Sequence, residues 1–332
     1  MLMKAVVYEK YGQPDVLQFK EVAKPVPTED EILIKIQAVS VNRSDWEGLI
    51  GKPFYARLGG LIRPRHHILG SDIAGRVEMV GRNNKDFHMG DEVFGDILVH
   101  LGGFAEYVCV RGRVIAQKPA GLTFEQAAAI PQAAVIALQG IRDKGRVQPG
   151  QQVLINGAGG GGGTFAVQLA KRYGAEVTGV DNTGKMEFLR SLGADHVIHY
   201  TRQDFTKNGN QYDLILDLIA TRSVFAYRRA LKPNGNYFTV GGSMATLFQI
   251  LLLGSWIGKS AGKKIGVLAV QPNRKDLLFM AELCEAGKVV PVIDRRYPLS
   301  EVPEALRYLG EGHVRGKVVI TMESQDKTQP DA

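Results

Sequence analysis

The stretch that most constrains this 332-residue chain is 151–185, QQVLINGAGGGGGTFAVQLAKRYGAEVTGVDNTGK. Val153, Leu154 and Ile155 follow one another in 151–156, the pattern of a buried strand. Of the seven residues 157–163, only Ala158 is not glycine. Phe165, Val167, Leu169 and Ala170 then fall at spacings that fit a largely buried helix, and 176–180 reads as a second strand, ending in Asp181. This is a βαβ half-unit with its glycines at the first strand-to-helix turn. The backbone there has to turn tightly, approach a pyrophosphate with no Cβ in the way, and let the helix pack on the sheet. The helix N-terminus then presents N–H groups and the positive end of its dipole to phosphate oxygens. Apolar strands on both sides argue against a flexible linker. Two registers are open: Gly157, Gly159 and Gly162 fit G-x-G-x-x-G, while Gly157, Gly160 and Gly163 fit a spacing of three and three.

Beyond the turn, apolar runs at 196–200, 213–218 and 237–240 are separated by helical stretches at 185–192 and 222–231. Such alternation predicts a doubly wound parallel sheet that binds ligands outside the carboxyl ends of its strands. Gly241 and Gly242 follow one strand end, either as an ordinary turn or as small residues that let backbone groups reach a nicotinamide. Before the turn, short runs at 3–8, 31–39, 73–80, 91–95 and 103–110 are punctuated by Gly and Asp, the pattern of a small barrel or curled sheet. Thr123 and Gln126 form the pattern of a capping box ahead of a helix that stops before Pro131, and 133–140 reads as the next helix. Towards the end come helices at 274–287 and 299–309, a last strand at 313–321 and a polar tail, 324–332. The expected division is a β-rich domain over 1–125, completed by 273–332, and an α/β domain over 126–272.

The net charge of +7, from 41 basic and 34 acidic residues, is spread along the chain. It suits a phosphate-bearing cofactor and, without basic blocks, argues against a nucleic acid partner. Cys109 and Cys284 cannot build a disulfide framework, and neither sits in a metal-spaced pair. The opening MLMKAVVYEKYG lacks the apolar core of a signal peptide. The most apolar stretch, 247–257, is too short to span a membrane and is interrupted by Gln249 and Gly254. A reducing, cytoplasmic setting is the expectation, with no membrane partner.

The run from Gly150 through Gly160, Gly161, Gly163 and Gln168 to Lys171 resembles the signature of the quinone oxidoreductase and zeta-crystallin group of the medium-chain dehydrogenase/reductases. That resemblance covers nearly the whole chain. It implies the second glycine register, a GroES-like catalytic domain for the β-rich part, and a Rossmann domain for the rest. Asn42-Arg43-Ser44-Asp45 resembles the Asn-x-x-Asp signature of the zinc-free branch, and Gly70-x-Asp72-x-x-Gly75 its Gly-x-Asp/Glu-x-x-Gly pattern. The zinc-dependent alcohol dehydrogenases place a Cys near the first motif and a Gly-His-Glu triplet at the second. Here Ser40, Val41 and Asn42 stand at the first place and Gly70, Ser71 and Asp72 at the second. Catalytic zinc needs three ligands of the thiolate, imidazole or carboxylate kind. His66 and His67 are neighbours on what reads as extended chain and point opposite ways, so no metal is expected.

The resemblance implies hydride transfer from a reduced nicotinamide to a quinone or an α,β-unsaturated carbonyl. Asn42 is the expected catalytic residue, an amide near the nicotinamide that donates to a substrate carbonyl or fixes the cofactor ring; capping its own turn is the alternative. Asp45 and Asp72 read as structural ties, and Trp46 and Tyr55 as pocket lining or core. The Thr usual in the 133–140 helix is Ile136 here. The expected cofactor-binding set is Gly157, Gly160, Gly161, Gly163, Asp181, Thr183, Lys185, Tyr200, Gly241, Gly242 and Lys317. Asp181 at the end of the second strand favours NADH, because a carboxylate there accepts from ribose hydroxyls. Lys185 and Tyr200 match positions that contact the 2′-phosphate in zinc-free relatives, and Arg315 or Lys317 would add charge, so NADPH is the expectation and NADH the alternative. The resemblance further implies a homodimer joined along the strand expected at 264–270. Two other functions stay open: a zinc alcohol dehydrogenase with atypical ligands, and a catalytically weak, crystallin-like NADPH- or RNA-binding protein.

Overall fold

The computed structural model describes residues 1–57, 60–259 and 262–322; the polar tail at 324–332 lies outside them. The chain divides into two compact units. The first holds Met1–Pro131, Ile293–His313 and the strand from Lys317, and the second Gln132–Val292 with Val314–Gly316. The chain thus returns to the first unit at Ile293 rather than at the expected 273. Helix Arg274–Glu285 stays with the second unit, where Asp276 pairs with Arg142 at 2.7 Å and accepts from Gln139 at 2.8 Å.

In the second unit the described residues include six parallel strands, in the order His196–His199, Glu176–Asp181, Gln152–Asn156, Tyr212–Asp217, Leu231–Thr239 and Lys264–Val267. Val153, Leu154, Ile155, Leu214, Ile215 and Leu216 are fully buried, since each central strand is covered on both faces. The strand order reverses beside Gln152–Asn156, the kind of switch point where such sheets bind ligands. Helix Gly161–Arg172 buries Phe165, Ala166, Val167, Leu169 and Ala170 and stops before Gly174, whose φ of +76° no longer continues a helix.

A buried carboxylate ties the strand ends together. Asp217 Oδ1 accepts from Asn156 Nδ2 at 2.8 Å and from Ile219 N–H at 3.0 Å, and Oδ2 accepts from the Tyr237 hydroxyl at 3.0 Å. Burial pushes this carboxyl above the usual carboxylate range, against the pull of those donors. The network anchors Asn156, the residue just before the glycine turn.

The first unit is β-rich. Leu2–Val7 pairs antiparallel with Gln18–Ala23. A second sheet runs Ile293–Pro298, Lys317–Thr321, Glu31–Val41, Asp72–Val80, Glu92–Asp96 and Ile115–Gln117, with Tyr107–Arg111 also paired to Glu31–Val41. Its register sets Val318 opposite Val41 and Ser40 opposite Asp72. The last strand therefore starts at Lys317, abreast of Asn42. The expected strand at 313–321 is shorter because Val314–Gly316 belong to the second unit, where Gly316 N–H donates to Gly159 O at 2.9 Å. The Thr123 capping box is present, with Gln126 N–H on Thr123 Oγ1 at 3.1 Å and Thr123 N–H on Gln126 Oε1 at 3.0 Å. Among the described residues no helix is long and apolar enough to cross a membrane. The apolar 247–257 stretch lies instead within helix Met244–Lys259.

Candidate active site

The phosphate-binding features of the second unit start from its glycines. Gly157 has φ +82°, which a side chain would resist. A Cβ on Gly163 would sit 2.2 Å from Gly157 O and 2.5 Å from Ala158 O, so this residue lets the helix close onto the turn. Gly160 caps that helix in extended conformation, and a Cβ there would meet nothing nearer than 3.6 Å. Gly161 opens the helix, and the first-turn N–H groups lack partners within it by construction. A cradle closed by packing at Gly163 and open at Gly160 fits a dinucleotide pyrophosphate. Gly159 has a different setting: a Cβ there would come 2.5 Å from Lys185 Cδ and 3.0 Å from Asp181 Oδ2.

Asp181 is turned inward. Its Oδ2 accepts from Gly159 N–H at 2.8 Å and its Oδ1 from Asn182 N–H at 2.9 Å. The Lys185 ammonium lies 3.3 Å from Oδ1, and the two residues are only 7% and 5% exposed. Both oxygens of the carboxylate are thus engaged and its charge is matched. The lysine, expected beside a 2′-phosphate, is paired with the neighbouring acid. Thr183 is exposed and hydrogen-bonds His199 Nε2, while Tyr200 is half exposed and stacks on His199 with ring centroids 5.9 Å apart. A Cβ on Gly184 would lie 4.0 Å from an Arg315 guanidinium nitrogen, which places that cation on the same loop surface. Gly241 is open around its missing Cβ. Gly242, at φ +145°, is pressed against Ala220, where a Cβ would meet the carbonyl oxygen at 2.3 Å.

In the first unit Asn42 is 6% exposed and belongs to a polar cluster that strand register assembles. Its backbone N–H donates to Asp45 Oδ2 at 2.8 Å, and Gly70 N–H donates to Asp45 Oδ1 at 3.0 Å. Its amide nitrogen donates to Ser71 Oγ at 3.2 Å, and its amide oxygen accepts from Lys317 Nζ. Lys317 Nζ is also 3.6 Å from Asp72 Oδ2, to which Ser40 Oγ donates at 3.5 Å. Lys317 was expected to serve a cofactor phosphate. Instead its ammonium is almost fully buried, 2% exposed, within this cluster. Burial lowers the Lys317 pKa, against the favourable charges of Asp72 and Asp45. Burial, and next in size among the raising causes the Asp72 charge, push the Asp45 carboxyl up to about 7, against its backbone hydrogen bonds.

Sequence reasoning missed the partners of Lys317. The available signal was a lysine opening an otherwise apolar strand, KVVIT, where burial demands a counter-charge. Trp46 is half-buried and packs against Gly310, where a Cβ would come 2.3 Å from its ring. The Tyr55 hydroxyl is held by Glu47 at 3.1 Å. Burial pushes the Cys109 and Cys284 thiols up to about 12, so neither is a ready nucleophile. Among the described residues no three His, Cys, Asp or Glu side chains gather as metal ligands.

Comparison with known proteins places the whole chain in a family. Residues 28–120 match the family model described as "Alcohol dehydrogenase GroES-like domain", and 192–320 the one described as "Zinc-binding dehydrogenase". The 2-methylene-furan-3-one reductase of Solanum lycopersicum is 36% identical over 96% of this chain and 79% of its own. The NADPH-dependent alkenal/one oxidoreductase of Arabidopsis thaliana, a chloroplastic protein, is 32% identical over 96% and 79%. The solved quinone oxidoreductase from Coxiella burnetii superposes with a TM-score of 0.88 at 31% identity, over 97% of this chain and 100% of that one. One chain carrying a GroES-like unit and a Rossmann unit with a glycine-rich turn defines a dinucleotide-dependent oxidoreductase. The chain belongs to the medium-chain dehydrogenase/reductases, with the quinone oxidoreductase-like members.

The Asp45 environment makes stability depend on pH. Its folded-state pKa is raised, so between the ordinary carboxylate range and about 7 the folded chain holds a proton that the unfolded chain has released. Stability from this group therefore falls as pH rises through that window. Asp45→Asn is expected to flatten that part of the dependence, measured as urea midpoints at about pH 5 and about pH 7.5. An unchanged slope would contradict the assignment.

Proposed function

We propose that this chain reduces quinones or α,β-unsaturated carbonyls with NADPH, without zinc and as a homodimer. The observation that carries the reading is the glycine turn beside a carboxylate that its own lysine has neutralised. A free Asp at that strand end would accept from ribose hydroxyls and repel a 2′-phosphate. Asp181 is buried, doubly hydrogen-bonded and paired with Lys185, so the repulsion is muted. Thr183, Tyr200 and Arg315 border the same loop and suit a phosphate. Gly157, Gly160, Gly161 and Gly163 would hold the pyrophosphate. When bound, the reduced nicotinamide supplies the hydride. Asn42 donates to the substrate oxygen as negative charge grows on it, and a donor fixed in advance needs no reorganisation at that moment.

The donor set supports zinc independence. Ser40, Asn42 and Ser71 offer no thiolate or imidazole, and an ammonium sits among them. NADPH oxidation is expected with members of a quinone and enone panel, at rates unchanged by exhaustive chelation. Activity that chelation abolishes and zinc restores would overturn the zinc-free reading; a parent inactive across the panel would overturn the reductase reading.

Lys185→Ala is expected to expose the Asp181 charge and raise the NADPH dissociation constant about tenfold to hundredfold without weakening NADH, whose ribose hydroxyls the freed carboxylate can accept from. Fluorescence titration with both cofactors checks this, and equal NADPH affinities for variant and parent would contradict it.

The dimer reading rests on the second unit's edge. Lys264–Val267 is the outer strand of its sheet, and beside it helix Met244–Lys259 exposes Phe248, Leu251, Leu252 and Trp256. Apolar surface of that kind next to an open edge calls for cover. Sedimentation velocity at micromolar concentration should return the mass of a dimer; a monomer there counts against it. The two unpaired thiols suit a reducing compartment, consistent with the cytoplasmic expectation.

A further inference from the structure

The Lys317 ammonium in the first unit's polar cluster has a role beyond balancing charge. Strand register brings it abreast of Asn42, and Asp72 lies on the strand beyond. An ammonium has three N–H donors and no acceptor, so the atom of the Asn42 amide that faces it is the oxygen. A side-chain amide otherwise has two nearly isosteric orientations. With the oxygen held by Lys317 and the backbone N–H by Asp45, the amide nitrogen points to Ser71. That nitrogen carries two N–H groups, and Ser71 takes one.

We propose that Lys317 is a positioning residue that makes Asn42 a donor-only amide, and so restricts the site to a substrate group that accepts a hydrogen bond and gains negative charge. The proposal rests on the reductase reading for the identity of that group, a carbonyl or quinone oxygen. Lys317 acts in two ways. It blocks the flipped amide, whose oxygen would face the substrate oxygen and repel it. Its buried charge also polarises the amide, strengthening the bond that the other end donates. Asp72 is required because an ammonium 2% exposed needs a counter-charge to remain ionised.

The test replaces both charges together, Lys317→Met with Asp72→Asn, so that no unpaired ion is left buried. In protein labelled with 15N-asparagine, the Asn42 side-chain resonances are identified by their loss in Asn42→Ala. They are expected to shift in the double variant, a readout that needs no activity. With an enone, kcat is expected to fall about tenfold to hundredfold while the NADPH dissociation constant stays at the parent value. In an Asn42→Ala background the same replacement should change kcat no further, because the effect runs through Asn42. Asn42→Asp serves if the double variant does not fold. It keeps a partner for Lys317 but has no N–H to donate, and is expected to lose kcat while keeping the parent's NADPH dissociation constant. Unmoved Asn42 resonances with parental kcat, or a fully active Asn42→Asp, would overturn the proposal. A parent inactive on the whole panel would instead overturn the reductase reading, and the resonances would still decide the role of Lys317.

Discussion

A charge withdrawn from water has to be met by an opposite charge or by hydrogen bonds. Two lysines here obey that constraint, one in each unit. In the second unit Lys185 lies 3.3 Å from Asp181, whose oxygens also accept two backbone N–H groups. In the first, Lys317 lies 3.6 Å from Asp72 and donates to Asn42. Each pair fixes a residue that the proposed function uses. The first holds the Asp181 carboxylate on Lys185 and two backbone N–H groups, and the second holds the Asn42 amide oxygen on Lys317. Desolvation makes both pairs costly to break, so each holds one arrangement.

The same constraint bears on the zinc-free reading. A metal needs several anionic or imidazole donors converging on one point. At the corresponding strand ends this chain sets hydroxyls at Ser40 and Ser71, an amide at Asn42 and a cation at Lys317. The family model described as "Zinc-binding dehydrogenase" matches 192–320, outside the 40–72 region where those donors stand.

Much of the fold was legible in the sequence because its signals are local. The glycine turn, the apolar strands around it and the Thr123 capping box each announce themselves within a few residues. Strand Ile293–Pro298 was not legible: IDRRYP is half polar because it lies at the sheet edge and needs little burial. The return to the first unit at Ile293 is not legible either, because the Gln139–Arg142–Asp276 contacts that hold helix Arg274–Glu285 in the second unit span more than 130 residues. The same limit governed the site. Asn42, Asp181 and Lys185 could be singled out by motif and position. That Lys185 turns to Asp181, and that Lys317 reaches Asn42, depends on packing and on register between strands 275 residues apart. No pattern along one segment encodes that.

The most direct test follows the hydride itself. An enone is reduced by the purified chain with NADPH deuterated at the transferred position of C4, and the product is examined by mass spectrometry and NMR. The reductase reading predicts one deuterium on the carbon β to the carbonyl and none elsewhere, because the fixed Asn42 donor serves the oxygen and directs hydride to the far end of the conjugated system. Product lacking deuterium at that carbon, or carrying it on the carbonyl carbon as in an alcohol dehydrogenase, would contradict it.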